Sequence, residues 1–446
     1  MLPGVTPEEN AASRCTIDPY GDDEMARSKA ELNDFISAQR AKTCFEGLPL
    51  EGKRVLDMST VMAAPYAAAM LGDAGADVIK IENPRVADAL RTWGTLRELG
   101  IEPYHSVVGR NKFPVTINLK ADEGKEIFVE LIKQSDVLIE NTRLGAMDRL
   151  GLSHDYLMEL NPGLIVGKVS GYGMTGPKAE QPGFGTLAEA YSGFSYLNGS
   201  LERGPLSPPM ALADLTTGIH LAYAISLAFI QQERGVRGGQ LIDISLYEPL
   251  FGYLGGEFVS YKLTGNNPEP IGNELRAAAP RSVYRTKDDR WIALSCSAQK
   301  PWENLAILME REELIEDPRF VTNTDRIKPE HRVALNEIIQ EWHSTRTEAE
   351  ALELFQSKGI TAGPILTMEC IDKDEHCRDR GSFRVIEDPS TGIELEMPDV
   401  PYRLMGQPVK IRFPGLPQAS ANEVVYGELL GYAADRVEEL REKGAI

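Results

Sequence analysis

Short apolar strands alternate with helices across residues 50–176, and this alternation constrains the fold more than any other feature of the chain. The run that begins at Val55 is typical of a buried strand, Pro65 opens a helix of small residues, and residues 78–81 predict the next strand. Buried strands that alternate with helices form parallel sheets, and ligands bind such sheets at the loops beyond the carboxyl ends of the strands. We therefore predict an α/β fold built on a parallel sheet.

This layout imitates a dinucleotide-binding unit, because Glu82 ends the second predicted strand. The loop after the first strand, residues 59–65, has the sequence STVMAAP. It lacks the glycine fingerprint that allows a backbone to approach a pyrophosphate closely. A nicotinamide cofactor is therefore a poor interpretation, and we predict no tightly bound cofactor.

Length and charge limit the possible partners. With 446 residues, the chain is too long to fold around one simple hydrophobic core, so we expect two lobes. It has 47 Lys and Arg against 67 Asp and Glu, a net charge of −20, which argues against binding nucleic acid through a general positive field. An anionic ligand must be held by local positive charge, and the candidates are Lys112, Lys120, Arg143 and Arg149.

Cysteine and histidine usage gives no sign of a metal site. The five cysteines are scattered and odd in number, and neither they nor the six histidines show metal-ligand spacing. We expect reduced thiols without a disulfide framework. No apolar run approaches a membrane span, and the polar, acidic N-terminus has no hydrophobic signal core. The sequence thus predicts a soluble, cytoplasmic protein that does not enter a membrane.

We predict four segments along the chain. Residues 1–43 form an N-terminal extension with a helix near 24–39, and residues 44–245 form the first part of the large domain. Residues 246–375 contain a linker and a small α+β domain, in which SVYRTKDDRWIALS predicts a hairpin. Residues 376–446 return to the large domain and end in a helix.

Several blocks, in order along the chain, carry a family resemblance. LEGKRVLDMS, GADVIKIENP, SDVLIENTRLGAMDRLGL and MALADLTTG resemble the class III CoA-transferases (the CaiB/BaiF type), the family of formyl-CoA transferase and carnitine CoA-transferase, which also includes alpha-methylacyl-CoA racemase. The resemblance runs from about Leu48 to near the C-terminus. It implies a Rossmann-like large domain, a small domain inserted through long linkers, and two chains interlocked like rings.

Asp214 stands at the start of an apolar helix, within MALADLTTG. Taken alone, such an aspartate is more simply a helix N-cap. The resemblance aligns Asp214 with the family's nucleophile, with Gly218 four residues on. It implies that the carboxylate attacks an acyl-CoA thioester, giving an aspartyl anhydride and then an aspartyl-CoA thioester. The cap and the nucleophile are compatible roles.

The same resemblance implies contacts with coenzyme A. A loop after a parallel strand is a suitable place for a ligand, and guanidinium groups suit phosphate oxygens, although a lone Lys or Arg is more often a solvated surface charge. The implied contacts are Met62, Ala63, Asn83, Arg85, Lys120, Asn141, Thr142, Arg143 and Arg149.

Some positions depart from the family. Met62 stands where formyl-CoA transferase has glutamine, and Asn83 replaces a usual arginine, although Arg85 is near enough to substitute. Residues 271–280, IGNELRAAAP, lack the glycine-rich loop that covers the formyl site. These departures argue against formyl-CoA and oxalate as substrates and favour a larger or more apolar acyl group.

The sequence leaves three functions open. The first is an acyl-CoA:carboxylate CoA-transferase, a transferase of sulfur-containing groups, acting on an acyl-CoA and a carboxylic acid as a homodimer or as a heterodimer with a homologous chain. The second is an acyl-CoA racemase or isomerase, disfavoured because residues 183–185 lack the aspartate of that branch. The third is a non-catalytic CoA-binding subunit, which would have no need of Asp214.

Overall fold

The computed structural model describes residues 28–41, 44–94, 96, 100–406 and 409–446. The predicted helix near 24–39 is present from Lys29 to Arg40, and its first residues lie outside the described part. Ser28 and Glu31 form a capping box there, each side chain accepting from the other residue's backbone N–H, which explains why the helix begins at this point.

The described residues contain the following strands and helices. The strands are β1 (Arg54–Asp57), β2 (Asp77–Glu82), β3 (Lys112–Thr116), β4 (Val137–Glu140), β5 (Ile165–Ser170), β6 (Gln240–Ser245), β7 (Arg281–Arg285), β8 (Trp291–Ser295), β9 (Ala362–Pro364), β10 (Phe383–Glu387) and β11 (Glu394–Pro398). The helices are α1 (Lys29–Arg40), α2 (Ala63–Asp73), α3 (Pro103–Val108), α4 (Asp122–Lys133), α5 (Ala146–Arg149), α6 (His154–Leu160), α7 (Gly185–Tyr191), α8 (Phe194–Leu197), α9 (Leu212–Glu233), α10 (Glu248–Tyr253), α11 (Gly255–Thr264), α12 (Gln299–Leu308), α13 (Glu313–Glu316), α14 (Asn323–Arg326), α15 (Pro329–Ser344), α16 (Glu348–Ser357), α17 (Met368–Lys373), α18 (Glu375–Asp379), α19 (Asn422–Val424) and α20 (Ala434–Glu442), with a 3₁₀-helix at Ala89–Thr92 and a π-helical turn at Val425–Leu429.

Strands β1 to β6 form one parallel sheet in the order β3-β2-β1-β4-β5-β6. This confirms the predicted parallel α/β architecture. Val55 of β1 pairs with Val78 on one side and with Val137 on the other, and these residues are fully buried because helices cover such sheets on both faces. The chain winds outward in both directions from β1, so a topological switch point lies between β1 and β4.

Contacts divide the chain into two compact units. The first consists of the described residues up to Phe184, with Ala213–Pro249 and Ser382–Ile446, and the second of Gly185–Leu212 and Leu250–Gly381. This division differs from the expected segments, because residues 185–212 group with the second unit. The backbone explains the grouping, since Ser200 bridges Ile271 and the N–H of Gly272 donates to the carbonyl of Gly199 at 2.9 Å.

The second unit contains the predicted hairpin. Strands β7 and β8 pair antiparallel, with Val283 opposite Ala293, and β9 adds a third antiparallel strand. Helices α12, α15 and α16 contribute Trp302, Ile339 and Phe355 to the core beside this sheet. The smaller antiparallel sheet confirms the α+β character predicted for this region.

Helix α9 is longer and more apolar than we expected of any segment in this chain. We expected no apolar run of membrane length, but α9 reaches that length and hydropathy by composition alone. Half of its most apolar stretch is buried within the protein, and a core helix of a folded protein meets the same criterion. The length and hydropathy of α9 are therefore weak evidence for a membrane span.

Candidate functional site

The predicted site residues follow the carboxyl ends of strands β1 to β4. Met62 and Ala63 come after β1, Asn83 and Arg85 after β2, Lys120 after β3, and residues 141–143 after β4. Because these strands are parallel, their carboxyl ends share one edge of the sheet. Arg149 ends the short helix α5 that follows the loop after β4.

Asp214 is half-buried and lies inside the first turn of α9, which begins at Leu212. It is therefore not the N-cap, because an N-cap residue precedes the first helical residue. Gly218 lies one turn later on the same helix face. A Cβ atom at Gly218 would stand 2.6 Å from the carbonyl oxygen of Ala63 and 3.2 Å from the Cβ of Tyr66. The face of α9 that carries Asp214 thus packs against the first turn of α2.

The beginning of α2 has the character of an anion-binding position. Met62 is its N-cap residue, and no side chain of the described residues caps the helix there. The first backbone N–H groups of a helix carry partial positive charge and have no partners within the helix. Over 11 residues, α2 is long enough to develop this dipole, so its start can hold a negatively charged group.

Buried charges lie beneath the loop that joins β1 to α2. Lys112 is 2% exposed, donates to the Asp57 carboxylate at 2.7 Å and to the carbonyl of Pro65 at 2.6 Å. Burial lowers the pKa of Lys112 to about 8 despite the attraction of Asp57. We expected Lys112 to be a candidate cation for an anionic ligand. The structure instead commits its ammonium to the interior of the sheet.

Glu140 organises the loop after β4. Its carboxylate accepts from the Thr142 hydroxyl at 2.7 Å, and it faces Lys168 at 2.9 Å and His154 at 3.0 Å. Burial alone would raise the pKa of Glu140, but the hydrogen bond from His154 and the charge of Lys168 outweigh it and hold that pKa below its usual value. The hydroxyl of Thr142 is therefore directed into this network.

The four cations expected to contact coenzyme A remain in solvent. Lys120, Arg143, Arg149 and Arg85 are exposed, and none forms an ion pair with the described residues. Asn83 accepts the backbone N–H of Arg85 at 2.9 Å, which shapes the turn that carries this arginine. The cations are thus free to meet phosphate groups at the carboxyl edge of the sheet.

Three residues with a role in this edge were missed from the sequence: Lys80, Asp88 and Glu140. Lys80 forms an ion pair with Asp88 at 3.1 Å, and both are buried. Lys80 lies between Ile79 and Ile81, and Glu140 ends the apolar strand β4. These positions were a usable signal, because a buried charge requires a partner. Asp88 could not be recognised in this way, because it lies in a polar loop where a charged residue is not unusual.

Metal ligation finds no support in the described part of the chain, where no group of three or more His, Cys, Asp or Glu residues is arranged to hold an ion. The cysteines described there, Cys44, Cys296, Cys370 and Cys377, are free thiols.

Comparison with known proteins identifies similar chains. Residues 50–423 match the sequence model of the family described as CoA-transferase family III. The beta subunit of succinyl-CoA–L-malate CoA-transferase from Chloroflexus aurantiacus is 37% identical over 401 residues, which cover 90% of this chain and 98% of that protein. The alpha subunit is 36% identical over 449 residues, which cover 100% and 97% respectively. A crystal structure of a CaiB/BaiF family protein from Brucella suis superimposes with a TM-score of 0.73 at 29% identity, covering 86% of this chain and 99% of that chain.

Proposed function

Because the chain belongs to the class III CoA-transferase family, we propose that it transfers coenzyme A from an acyl-CoA thioester to a carboxylic acid through a covalent intermediate on Asp214. The observation that carries this proposal is the packing of Gly218 on Ala63, which brings the helix face of Asp214 to the start of α2. A nucleophile beside a helix N-terminus has stabilisation for the negative charge that develops when it attacks.

The proposed reaction proceeds by two exchanges at the Asp214 carboxyl group. The carboxylate attacks the thioester carbonyl, and the C–S bond breaks. CoA leaves as a thiolate, and the acyl group stays on the enzyme as an aspartyl-acyl anhydride. The thiolate then attacks the aspartyl carbonyl and releases the donor acid. The acceptor carboxylate repeats these steps in reverse order, which restores the Asp214 carboxylate without any net change in protons.

We assign CoA binding to the carboxyl edge of the sheet. Met62 and Ala63 are buried, so they contact the coenzyme through their backbone at the start of α2. Arg85, Lys120, Arg143 and Arg149 hold its phosphates, with Asn83 and Thr142 shaping the adjoining turns. The exposure and lack of ion pairs of these cations support this assignment, because a guanidinium or ammonium already paired with a carboxylate would have to exchange its partner.

The relatives indicate a substrate class. Two are named succinyl-CoA–L-malate CoA-transferase subunits, so we propose succinyl-CoA as donor and a hydroxylated dicarboxylic acid as acceptor. The test is to incubate the purified chain with succinyl-CoA and L-malate and to follow malyl-CoA by mass spectrometry. Hydroxylamine displaces the acyl or CoA group from such an adduct, so trapping followed by peptide mapping should find a hydroxamate on Asp214. Turnover with an unmodified Asp214 would refute the covalent route.

A second chain is part of the proposal. Exposed apolar residues follow one face of α9, at spacings of three and four: Ile219, Tyr223, Leu227 and Ile230. Such a stripe is typical of a protein interface. We propose a dimer, interlocked as the resemblance implies, of two cytoplasmic chains. The relatives named alpha and beta subunits make a homologous partner the alternative, in which this chain could be the non-catalytic one; activity of the chain purified alone decides between them.

A further inference from the structure

The loop from β1 to α2 has an unusual backbone conformation. Val61 has a φ of 68°, in the left-handed region that β-branched residues avoid. Loops of this kind in dinucleotide-binding proteins use glycine for positive φ, and this loop contains none. A strained residue persists only where its surroundings impose the conformation.

Side chains from two neighbouring loops impose it. The amide of Asn141 makes two hydrogen bonds with Thr60: its nitrogen donates to the Thr60 carbonyl at 2.9 Å, and its oxygen accepts the Thr60 N–H at 3.0 Å. The Asp88 carboxylate accepts the N–H of Val61 at 2.9 Å and that of Leu90 at 3.0 Å. The peptide group between Thr60 and Val61 is therefore held from both neighbouring loops, immediately before the bond that carries the positive φ.

The strand below completes the support. Lys80 donates to the carbonyl of Ser59 and pairs with Asp88 at 3.1 Å, while the N–H of Ser59 donates to Asp57 at 3.1 Å. Asp57, Lys80 and Asp88 are all buried, so these hydrogen bonds are shielded from competing water. The loop rests on a rigid base.

We propose that Asn141 and Asp88 are positioning residues that hold this loop in its left-handed conformation and thereby present the backbone of Met62 and Ala63 to coenzyme A. This inference rests on the proposed function. Asn141 was expected to contact coenzyme A directly. With both of its amide atoms engaged by Thr60, it acts on the coenzyme through the loop, and hydrogen bonds replace the glycine that other loops use.

A double-mutant cycle between Asn141 and Val61 tests the proposal. Asn141→Ala should weaken succinyl-CoA binding about tenfold, as expected when hydrogen bonds to a loop are lost. In a Val61→Gly background the same change should cost less than about threefold, because glycine adopts positive φ without help. A direct contact between Asn141 and the coenzyme predicts an equal loss in both backgrounds, and that result would overturn the proposal.

Asn161→Ala is the matched control. Its amide donates to the carbonyls of Ile132 at 2.9 Å and Ser135 at 2.7 Å, ahead of β5 and so at the opposite edge of the sheet. This variant should lose stability and keep its affinity for succinyl-CoA. Equal losses of affinity in Asn161→Ala and Asn141→Ala would show that Asn141 acts only through general stability.

Amide hydrogen exchange on the free protein separates this inference from the proposed function. The amides of Thr60 and Val61 should exchange at least about tenfold faster in Asn141→Ala, and unchanged in Asn161→Ala. Unchanged exchange in Asn141→Ala overturns the positioning role. Should the wild-type chain bind no succinyl-CoA, the proposed function fails, and hydrogen exchange alone decides whether Asn141 holds the loop.

Discussion

Gly218 of α9 lies so close to Ala63 of α2 that a Cβ at position 218 would stand 2.6 Å from the Ala63 carbonyl oxygen. Backbone cannot yield there as a flexible side chain could, so the close approach requires glycine. The contact joins the helix of the proposed nucleophile to the helix whose start faces the proposed coenzyme site.

Gly218→Ala should force the two helices apart. We expect a loss of roughly 1–3 kcal/mol in the free energy of unfolding, typical of an overpacked core, and a large loss of transferase activity. Gly252→Ala is the control, because Gly252 also lies in a helix and nothing stands within 4 Å of the added Cβ. Denaturant unfolding and initial rates measure both. Full activity in Gly218→Ala would show that the contact between Gly218 and Ala63 is not needed for catalysis.

Asp214→Asn should abolish transfer while the protein folds and binds succinyl-CoA. The amide is nearly isosteric but is a poor nucleophile, so no covalent adduct should form. Asp122→Asn is the matched control, because it makes the same substitution at an exposed aspartate in the first turn of another helix. Mass spectrometry of the acylated protein and calorimetric binding check the two effects. Retained turnover in Asp214→Asn would exclude the nucleophilic role.

Lys120→Ala, Arg143→Ala and Arg149→Ala should each weaken acyl-CoA binding. A charged hydrogen bond to phosphate contributes roughly 1.5–3 kcal/mol, which corresponds to about 10- to 150-fold in affinity. The KM of the acceptor acid should change little. Lys133→Ala, at the end of α4, removes an exposed lysine away from this edge and should have no effect. Equal affinity in all four variants would place the coenzyme elsewhere.

Acid should destabilise the second unit through His343. This side chain is fully buried between Tyr284 and Phe355, and burial lowers its pKa to about 4. An unfolded histidine has a pKa of about 6.5, so between pH 6.5 and 4 the unfolded chain binds the extra proton. The stability contributed by neutral His343 is therefore complete above pH 6.5 and is lost towards pH 4, by about 3 kcal/mol.

His343→Phe tests this pH dependence, because it keeps a ring in the stack and removes the titrating group. Denaturant unfolding at a series of pH values should show a shallower acid loss in His343→Phe than in the wild type. His376→Phe, on the short helix α18, is the control for a histidine whose side chain is not buried. Parallel acid profiles for the wild type and His343→Phe would contradict the prediction.

Local pattern was sufficient for a large part of the fold. Alternating strands and helices predicted the parallel sheet, and SVYRTKDDRWIALS predicted the hairpin of β7 and β8. Family blocks indicated the CoA-transferase family. These features depend on residues close together in the chain, whose periodicity records which faces are buried. The placement of the candidate cations after β2, β3 and β4 follows from the same pattern, because parallel strands end at one edge.

Long-range pairing was decided only by the tertiary structure. Residues 185–212 group with the second unit through Ser200 and Ile271, which are far apart in sequence. Lys112 resembled the other candidate cations in sequence, yet the strand order places it beside Asp57 in the interior.

The loop from β1 to α2 likewise depends partly on local sequence and partly on tertiary structure. The sequence by itself determined that a loop without glycine follows β1 and that polar residues follow β4. Only the adjacency of β1 and β4 brings Asn141 to Thr60, 81 residues away, and only the fold of residues 83–88 brings Asp88 to Val61. A polar side chain's partner depends on which loops the sheet order makes neighbours, and no local periodicity encodes that order.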